Sequence, residues 1–366
     1  MKRRSAPLSR IPLLATACLT LATGTPAVHA QDATPYTLHV YTNLIQLPTL
    51  VLSEDRKLLP PIQRERFAIS LDQGPTFHPT QMRIEGDDPI SLAVLLDVSG
   101  GHDDIVTAFT KSFPKLAPQF LHPKDHVSIY AIDCALVRST TDIPADSDTL
   151  KAGIAAVLAS PDLHGTQQRG ACANSVHLWD AIAKLAGTLG QFPGRRVLLV
   201  VSNGRDGKSN VTFSEANTRA IRNSVAIFGI RDWVEYVHAR QLAAQPFNRA
   251  QLLTPAGGSV NQEDLFDLLC VGNGGITFNL SQREVAKSLQ TFIAMVRGRY
   301  ILEYPRPDVT VGTLHYVTIT VPGTHDFVQS TGIVYPSADP ALLADPSTVH
   351  TSPSPATFGP RRPIDH

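Results

Sequence analysis

The chain has 366 residues, enough for two ordinary domains, and 43% of them are hydrophobic, so a sizeable core is possible. Lys+Arg and Asp+Glu both number 32. That balance argues against a nucleic-acid-binding protein, which would show a basic excess. The charged fraction of 17% is low for a cytosolic enzyme and ordinary for an exported protein.

The first thirty residues read as a secretory signal peptide. Lys2, Arg3, Arg4 and Arg10 precede the apolar stretch Ile11–Ala22, which is short for a bilayer span, and Val28-His29-Ala30 forms a small-x-small cleavage site. The mature chain is expected to start near Gln31 and to be periplasmic or extracellular. Lipidation at Cys18 is the alternative, with Ala15-Thr16-Ala17 as a weak lipobox. No later segment has the length of a transmembrane helix. Beyond Cys18 the cysteines are Cys134, Cys172 and Cys270. An odd count in an oxidising compartment points to one bridge and one buried thiol, and none has CxxC or Cys/His zinc spacing.

Residues 31–88 read as a small β module. Short β-branched and aromatic runs at Tyr36–Tyr41, Thr49–Leu52 and Phe67–Leu71 are separated by turn-rich stretches. From Pro89 the pattern changes to alternating strands and helices. Ser91–Leu96 is an unbroken apolar strand, which means burial on both faces at the centre of a parallel sheet. Helical spacing follows at Asp104–Phe120, with Asp104 fitting an N-cap, and Asp125–Ile132 alternates as a strand.

Further helices are expected at Asp148–Leu158, Ser175–Leu189, Thr212–Asn223, Gln262–Cys270 and Ser281–Arg297. Strands are expected at Arg196–Val201, Val225–Ile230 and Ile276–Leu280. This grammar predicts an α/β fold with a doubly wound, mainly parallel sheet over 89–336. Arg299–Tyr304 and Leu314–Val321 read as a closing pair of strands. Residues 337–366, rich in Pro, Ser and Asp, read as a disordered tail.

Asp97-Val98-Ser99 ends the first apolar strand, which places it at the carboxyl edge of the sheet, where open α/β folds bind ligands. Other chemistry is poorly supported. Ser99 lacks a GxSxG elbow, and no histidine is placed as its base. Gly272–Gly275 precedes a strand, so no helix N-terminus points at an anion, and a tight turn is expected. His122 and His126 have HxxxH spacing, but Pro123 breaks the helix that a metal pair needs, so both read as loop histidines.

The order of these segments resembles a von Willebrand factor type A domain, and more closely the secreted bacterial VWFA-related subfamily. The resemblance rests on LLDVSGG, PKDHVSIYAID, SVHLWDAIAKL, GRRVLLVVSNGRDGKSN, GGITF and RGRYILEYPRPD, and runs from Tyr36 to Val334. It implies a von Willebrand A-like fold and a metal-ion-dependent adhesion site at the carboxyl edge. There Mg²⁺ would take about six oxygens, including those of a partner carboxylate.

This chain matches that site in part. Asp97 and Ser99 are in place, Gly101 replaces the second serine, and Val176 stands at the threonine position, with Ser175 beside it. Asn203 stands where an aspartate is expected. The resemblance therefore implies a site at Asp97, Ser99 and Asn203 that holds a divalent cation such as Mg²⁺ weakly, if at all. Gly101, Asp133, Ser175 and Asp206 belong to the surrounding binding edge. Asp103, Asp104, Asp133 and Asp206 lie in or near edge loops and read as solvated acids or caps, with an irregular cation site as the alternative, and Asp180 has a structural role. In the resembled sheet Cys134 and Cys172 both fall on this edge, so a bridge between them is expected to pin the added loop His164–Asn174.

The function this implies is non-enzymatic: recognition of, or adhesion to, an unknown protein partner through the carboxyl edge. An exported hydrolase using Asp97 and Ser99, and a structural envelope protein without a specific ligand, are the alternatives.

Overall fold

The computed structural model describes residues 39–41, 44–100, 103–164, 172, 175–233, 237, 262–305, 314–322, 327–330, 333–334 and 348–350. The expected signal peptide, Cys18, Gly101, His102 and most of the expected loop at 164–174 lie outside the described residues.

Four short strands come first: β1 (His39–Tyr41), β2 (Leu44–Leu52), β3 (Ala68–Leu71) and β4 (Gln81–Ile84). The apolar run then forms β5 (Ile90–Asp97), every residue of which is buried. Its side chains alternate between two cores. Leu92, Val94 and Leu96 face one, and Ala93 and Leu95 the other. The absence of any polar face is what a strand sandwiched between helical layers requires.

After β5 come α1 (Asp103–Ser112), β6 (His126–Ile132), β7 (Leu136–Pro144), α2 (Ser147–Leu158), α3 (Leu178–Leu189) and β8 (Arg195–Val201). Then follow α4 (Phe213–Arg222), β9 (Val225–Asp232), α5 (Gln262–Gly272), β10 (Thr277–Leu280) and α6 (Val285–Arg297). The six-stranded sheet has the order β10-β9-β8-β5-β6-β7, parallel throughout except for the β6–β7 hairpin. Helices α1, α2 and α6 pack on one face and α3, α4 and α5 on the other. This is the expected α/β fold with a doubly wound, mainly parallel sheet. The chain leaves β5 toward β6 on one side and later returns to β8 on the other, so the topological switch point is the crevice between the ends of β5 and β8.

Several expected boundaries move. Helix α1 starts at Asp103, so Asp104 sits inside its first turn instead of capping it. The chain turns to a 3-10 helix at Phe113–Leu116, where Pro114 cannot continue the α-helical ladder. Helix α3 begins at Leu178, not Ser175. The Val176 carbonyl instead accepts from Gly207 N (2.8 Å) and Lys208 N (3.3 Å) of a neighbouring loop.

The remaining strands are β11 (Tyr300–Pro305), β12 (Leu314–His315), β13 (Val317–Thr320), β14 (Phe327–Ser330), β15 (Ile333–Val334) and β16 (Thr348–His350). The closing pair expected from Arg299–Tyr304 and Leu314–Val321 does not form. β11 lies between β2 and β4 in a sheet of order β14-β2-β11-β4, and β13 pairs with β3. Residue 88 is therefore not a boundary between sheets, because the amino- and carboxyl-terminal strands build common sheets over one core of Leu47, Phe67, Ile69, Tyr300, Leu302 and Tyr304. Within the expected tail, Thr348–His350 pairs parallel with β1, and the rest of 337–366 lies outside the described residues.

A buried ionic junction joins the two parts. Glu85 accepts from Arg299 at 2.8 and 3.2 Å and faces Arg195 at 3.5 Å, and Arg195 also donates to the Asp88 carbonyl. Burial lowers the Arg195 pKa, and the Glu85 charge opposes that shift. The junction lies at the amino ends of β5 and β8, opposite the candidate site.

Candidate functional site

Asp97 is the last residue of β5 and is completely buried. Its Oδ1 accepts from the Ser99 amide at 3.0 Å and the Ser99 hydroxyl at 2.6 Å, while Oδ2 accepts from the Ser202 hydroxyl at 2.6 Å. Parallel pairing brings Ser202 there. Leu96 is opposite Val201 in the register of β5 and β8, so the next residues of both strands meet across the crevice. The Ser202 hydroxyl in turn accepts from the Gly204 amide at 3.0 Å. Gly204 has φ +82°, and a Cβ there would lie 2.7 Å from Phe266, so both the backbone conformation and the space require glycine. Asn203 turns its side-chain oxygen to the Arg205 amide at 2.9 Å, an Asx turn that shapes the start of the loop.

A second knot ties this loop to α3. Asp206 accepts from the Trp179 amide (3.1 Å) and from both the hydroxyl (2.5 Å) and the amide (3.2 Å) of Ser209, so it satisfies a free N–H in the first turn of α3. Asp180 accepts from the Val211 amide (2.7 Å), from the Asn210 amide (3.1 Å) and side chain (3.2 Å), and from His177 (3.2 Å). Burial pushes the Asp180 pKa up, but the hydrogen bonds from Val211 and Asn210 outweigh it, and the carboxyl stays below its ordinary value. Ser175 donates to the Cys172 carbonyl at 3.3 Å.

A third knot lies beyond β6. The buried Asp133 carboxylate meets His164 Nδ1 at 2.6 Å. Cys134 is bonded to Cys172, with Cα atoms 5.2 Å apart, and the backbone amides of Cys134 and Ala135 both donate to the Leu163 carbonyl. Among the described residues, Asp133, Cys134 and Cys172 form a close group of metal-ligating residue types, but both sulfurs are committed to the disulfide. Cys270 is a free, buried thiol, and burial pushes its pKa up to about 12.

Of the residues singled out in the sequence, Asp97 and Ser99 touch, Asn203 belongs to the adjoining turn, Asp206 joins the knot at α3, and Asp133 joins the knot at the disulfide. Asp103 and Asp104 are exposed in the first turn of α1, where the helix dipole favours acids. The sequence reading missed Ser202 and His164. Ser202 was signalled by a second apolar strand, RVLLVV, ending in a hydroxyl. His164 is thirty-one positions from Asp133, and no spacing rule links them.

No protein-family model matches the chain, and no curated protein matches it. Solved structures with similar arrangements include BatB from Bacteroides thetaiotaomicron, with 14% identity, 56% of this chain and 98% of that chain covered, and a TM-score of 0.36. An aerotolerance-related membrane protein from Bacteroides fragilis has 12% identity over 57% of this chain and 98% of that one, with a TM-score of 0.37. Proximal thread matrix protein 1 from the mussel byssus, solved with a zinc-occupied MIDAS motif, has 13% identity over 58% of this chain and 49% of that one, with a TM-score of 0.34. At this level of similarity nothing about ligands or activity transfers to the present chain.

Proposed function

We propose that the chain is an exported, non-enzymatic von Willebrand A-like protein that recognises a protein partner through the carboxyl edge of its central sheet, with divalent-cation binding weakened or lost. The observation that carries this reading is the closure of the Asp97 carboxylate by Ser99 and Ser202. An octahedral Mg²⁺ site needs accessible oxygens carrying enough negative charge. Here the Asp97 carboxylate is fully buried, and its oxygens already accept from the Ser99 amide and from the Ser99 and Ser202 hydroxyls.

The residues at the remaining positions of the resembled site add little. The Val176 side chain is apolar and buried, and Asn203 supplies a neutral amide whose oxygen already accepts from Arg205. This donor set does not fit a tightly held divalent cation. The edge loops are instead fixed by internal hydrogen bonds and a disulfide, which suits a surface pre-shaped for contact. The hydrolase reading gains nothing, because Ser99 is 2% exposed and its hydroxyl donates to a carboxylate. Among the described residues no helix is long and apolar enough to cross a membrane.

Two measurements test the proposal. Thermal melts in EDTA and in millimolar Mg²⁺ or Mn²⁺ are expected to coincide; a cation-dependent rise abolished by Asp97→Ala would restore the adhesion-site reading. Affinity capture from the envelope fraction of the source cells, in EDTA, is expected to retain a protein that an Arg205→Ala, Lys208→Ala variant loses. Equal retention by both proteins, or none by either, would favour a structural envelope role.

A further inference from the structure

The sequence contains two Asn-Gly pairs, Asn203-Gly204 and Asn273-Gly274. In such a pair the glycine nitrogen can attack the preceding side-chain amide, because glycine has no Cβ to obstruct the approach. The attack needs a route for the backbone amide proton, a donor on the side-chain oxygen to hold the charge that develops there, and a side chain that water reaches. The structure supplies these at one pair and denies them at the other.

At the first pair the Gly204 amide donates to Ser202 Oγ at 3.0 Å, and Ser202 Oγ donates to Asp97 Oδ2 at 2.6 Å. The Gly204 proton can therefore move to Ser202 as the Ser202 proton moves to Asp97. The N–H bond lies in the peptide plane, whereas the nitrogen attacks from a face of that plane, so the two do not compete. Asn203 Oδ1 accepts from the Arg205 amide at 2.9 Å, which polarises Cγ and stabilises charge on the oxygen. Asn203 itself is only half-buried.

At the second pair Asn273 is fully buried. Its Nδ2 donates to Asn217 Oδ1 and to the Leu269 carbonyl, both at 2.7 Å, so the nitrogen that would leave is held twice. Its Oδ1 is buried without a hydrogen-bond donor among the described residues, and the Gly274 amide donates to the Val271 carbonyl at 3.1 Å, which passes no proton on.

We propose that Asn203 is a site of self-catalysed deamidation at the carboxyl edge. The bond from Gly204 N to Asn203 Cγ forms a succinimide as the Cγ–Nδ2 bond breaks. Ammonia leaves with Nδ2 and the proton lost by Gly204. Water then opens the ring at either carbonyl, giving aspartate or isoaspartate. A neutral amide thus becomes a carboxylate one residue from Ser202, and the edge gains a negative charge. In the isoaspartate product the main chain also lengthens ahead of Arg205.

The test follows the intact chain over time at neutral pH by peptide mass mapping with isoaspartate detection. Synthetic peptides spanning 199–208 and 269–278 give the unstructured rates. Asn203 is expected to convert about tenfold or more faster in the folded chain than in its peptide, and Asn273 about tenfold or more slower than in its own. In the folded chain Ser202→Ala is expected to slow Asn203 about tenfold and Ser202→Thr to keep the rate within a few-fold, with each fold checked by its melt; in the peptide neither change should matter. The proposal is overturned if Asn203 converts no faster in the folded chain than in its peptide, if Asn203 and Asn273 convert alike, or if folded Ser202→Ala converts as wild type does. The comparison of wild type with peptide decides the matter by itself if Ser202→Ala does not fold.

Discussion

Removing the bond between Cys134 and Cys172 tests whether the edge is held covalently. The two residues are 38 positions apart, and the segment they enclose contains β7, α2 and His164. In the chain-entropy relation a loop of that length restricts the unfolded chain by about 4 kcal/mol. Serine at both positions keeps near-equal volume and adds two small hydroxyls, so little else changes. The backbone bonds from Cys134 and Ala135 to Leu163 and the Asp133–His164 contact should survive, because none of them uses sulfur. Urea unfolding of Cys134→Ser, Cys172→Ser against the oxidised wild type should show a loss of about 3–5 kcal/mol, matched by the wild type in reductant. A loss below about 1 kcal/mol in the double variant, with the wild-type bond intact by mass, would refute the reasoning. It would mean that the enclosed segment stays ordered in the unfolded chain, or that the bridge is strained.

Gly204→Ala should destabilise by about 2 kcal/mol or more in the same assay, because φ +82° disfavours a side chain and the new Cβ meets Phe266 at 2.7 Å. Glu85→Gln, isosteric but neutral, leaves the buried Arg195 and Arg299 facing each other without their shared anion; a loss of about 3–5 kcal/mol is expected, and a neutral result would show that water or a counter-ion reaches the junction. Cys270, buried with a pKa raised to about 12, should resist alkylation in the native protein at pH 8 and react only on unfolding, as read by peptide mass mapping. Asp180, whose folded pKa is lowered, contributes stability that is full above its unfolded pKa and is lost as pH falls through the folded value. The stability gap between wild type and Asp180→Asn should therefore be constant near neutrality and close in acid, and a gap that widens in acid would contradict the hydrogen bonds assigned to Val211 and Asn210.

The central sheet was legible because its strands are buried on both faces. LAVLL, RVLLVV and VAIFGI have no polar alternative, and the helices between them carry clear periodicity. β7 was missed because LVRSTTDIP is half-buried edge strand with hydroxyls where a core strand has aliphatics, and β4 because QMRI is short and mostly exposed. The shared terminal sheets were illegible for a different reason. β2 and β11 pair across some 250 residues, and nothing local in either sequence names its partner. The start of α3 moved because the contacts at residues 175–177 are tertiary: Val176 and Ser175 give their backbone or side-chain groups to the 207–208 amides and to Cys172.

The same distinction explains the candidate site. The sequence placed Asp97, Asp133, Asp180 and Asp206 on or near one edge, and acids gathered at a sheet edge invite a metal. The structure supplies each with protein donors: Ser99 and Ser202 for Asp97, His164 for Asp133, Val211 and Asn210 for Asp180, and Trp179 and Ser209 for Asp206. Each donor set also joins different segments: β5 to β8 through Asp97, β6 to the segment at His164 through Asp133, and α3 to the loop after β8 through Asp180 and Asp206. In a metal-dependent site a cation would neutralise converging carboxylates and order their loops in one step. Here serine, histidine and backbone N–H groups do both within the chain. On the proposed function an edge organised in this way would keep its shape without an ion, and its exposed basic residues Arg205 and Lys208 belong to a loop already anchored at both ends. This is why the proposed recognition is assigned to the loops and why the capture experiment is specified in EDTA.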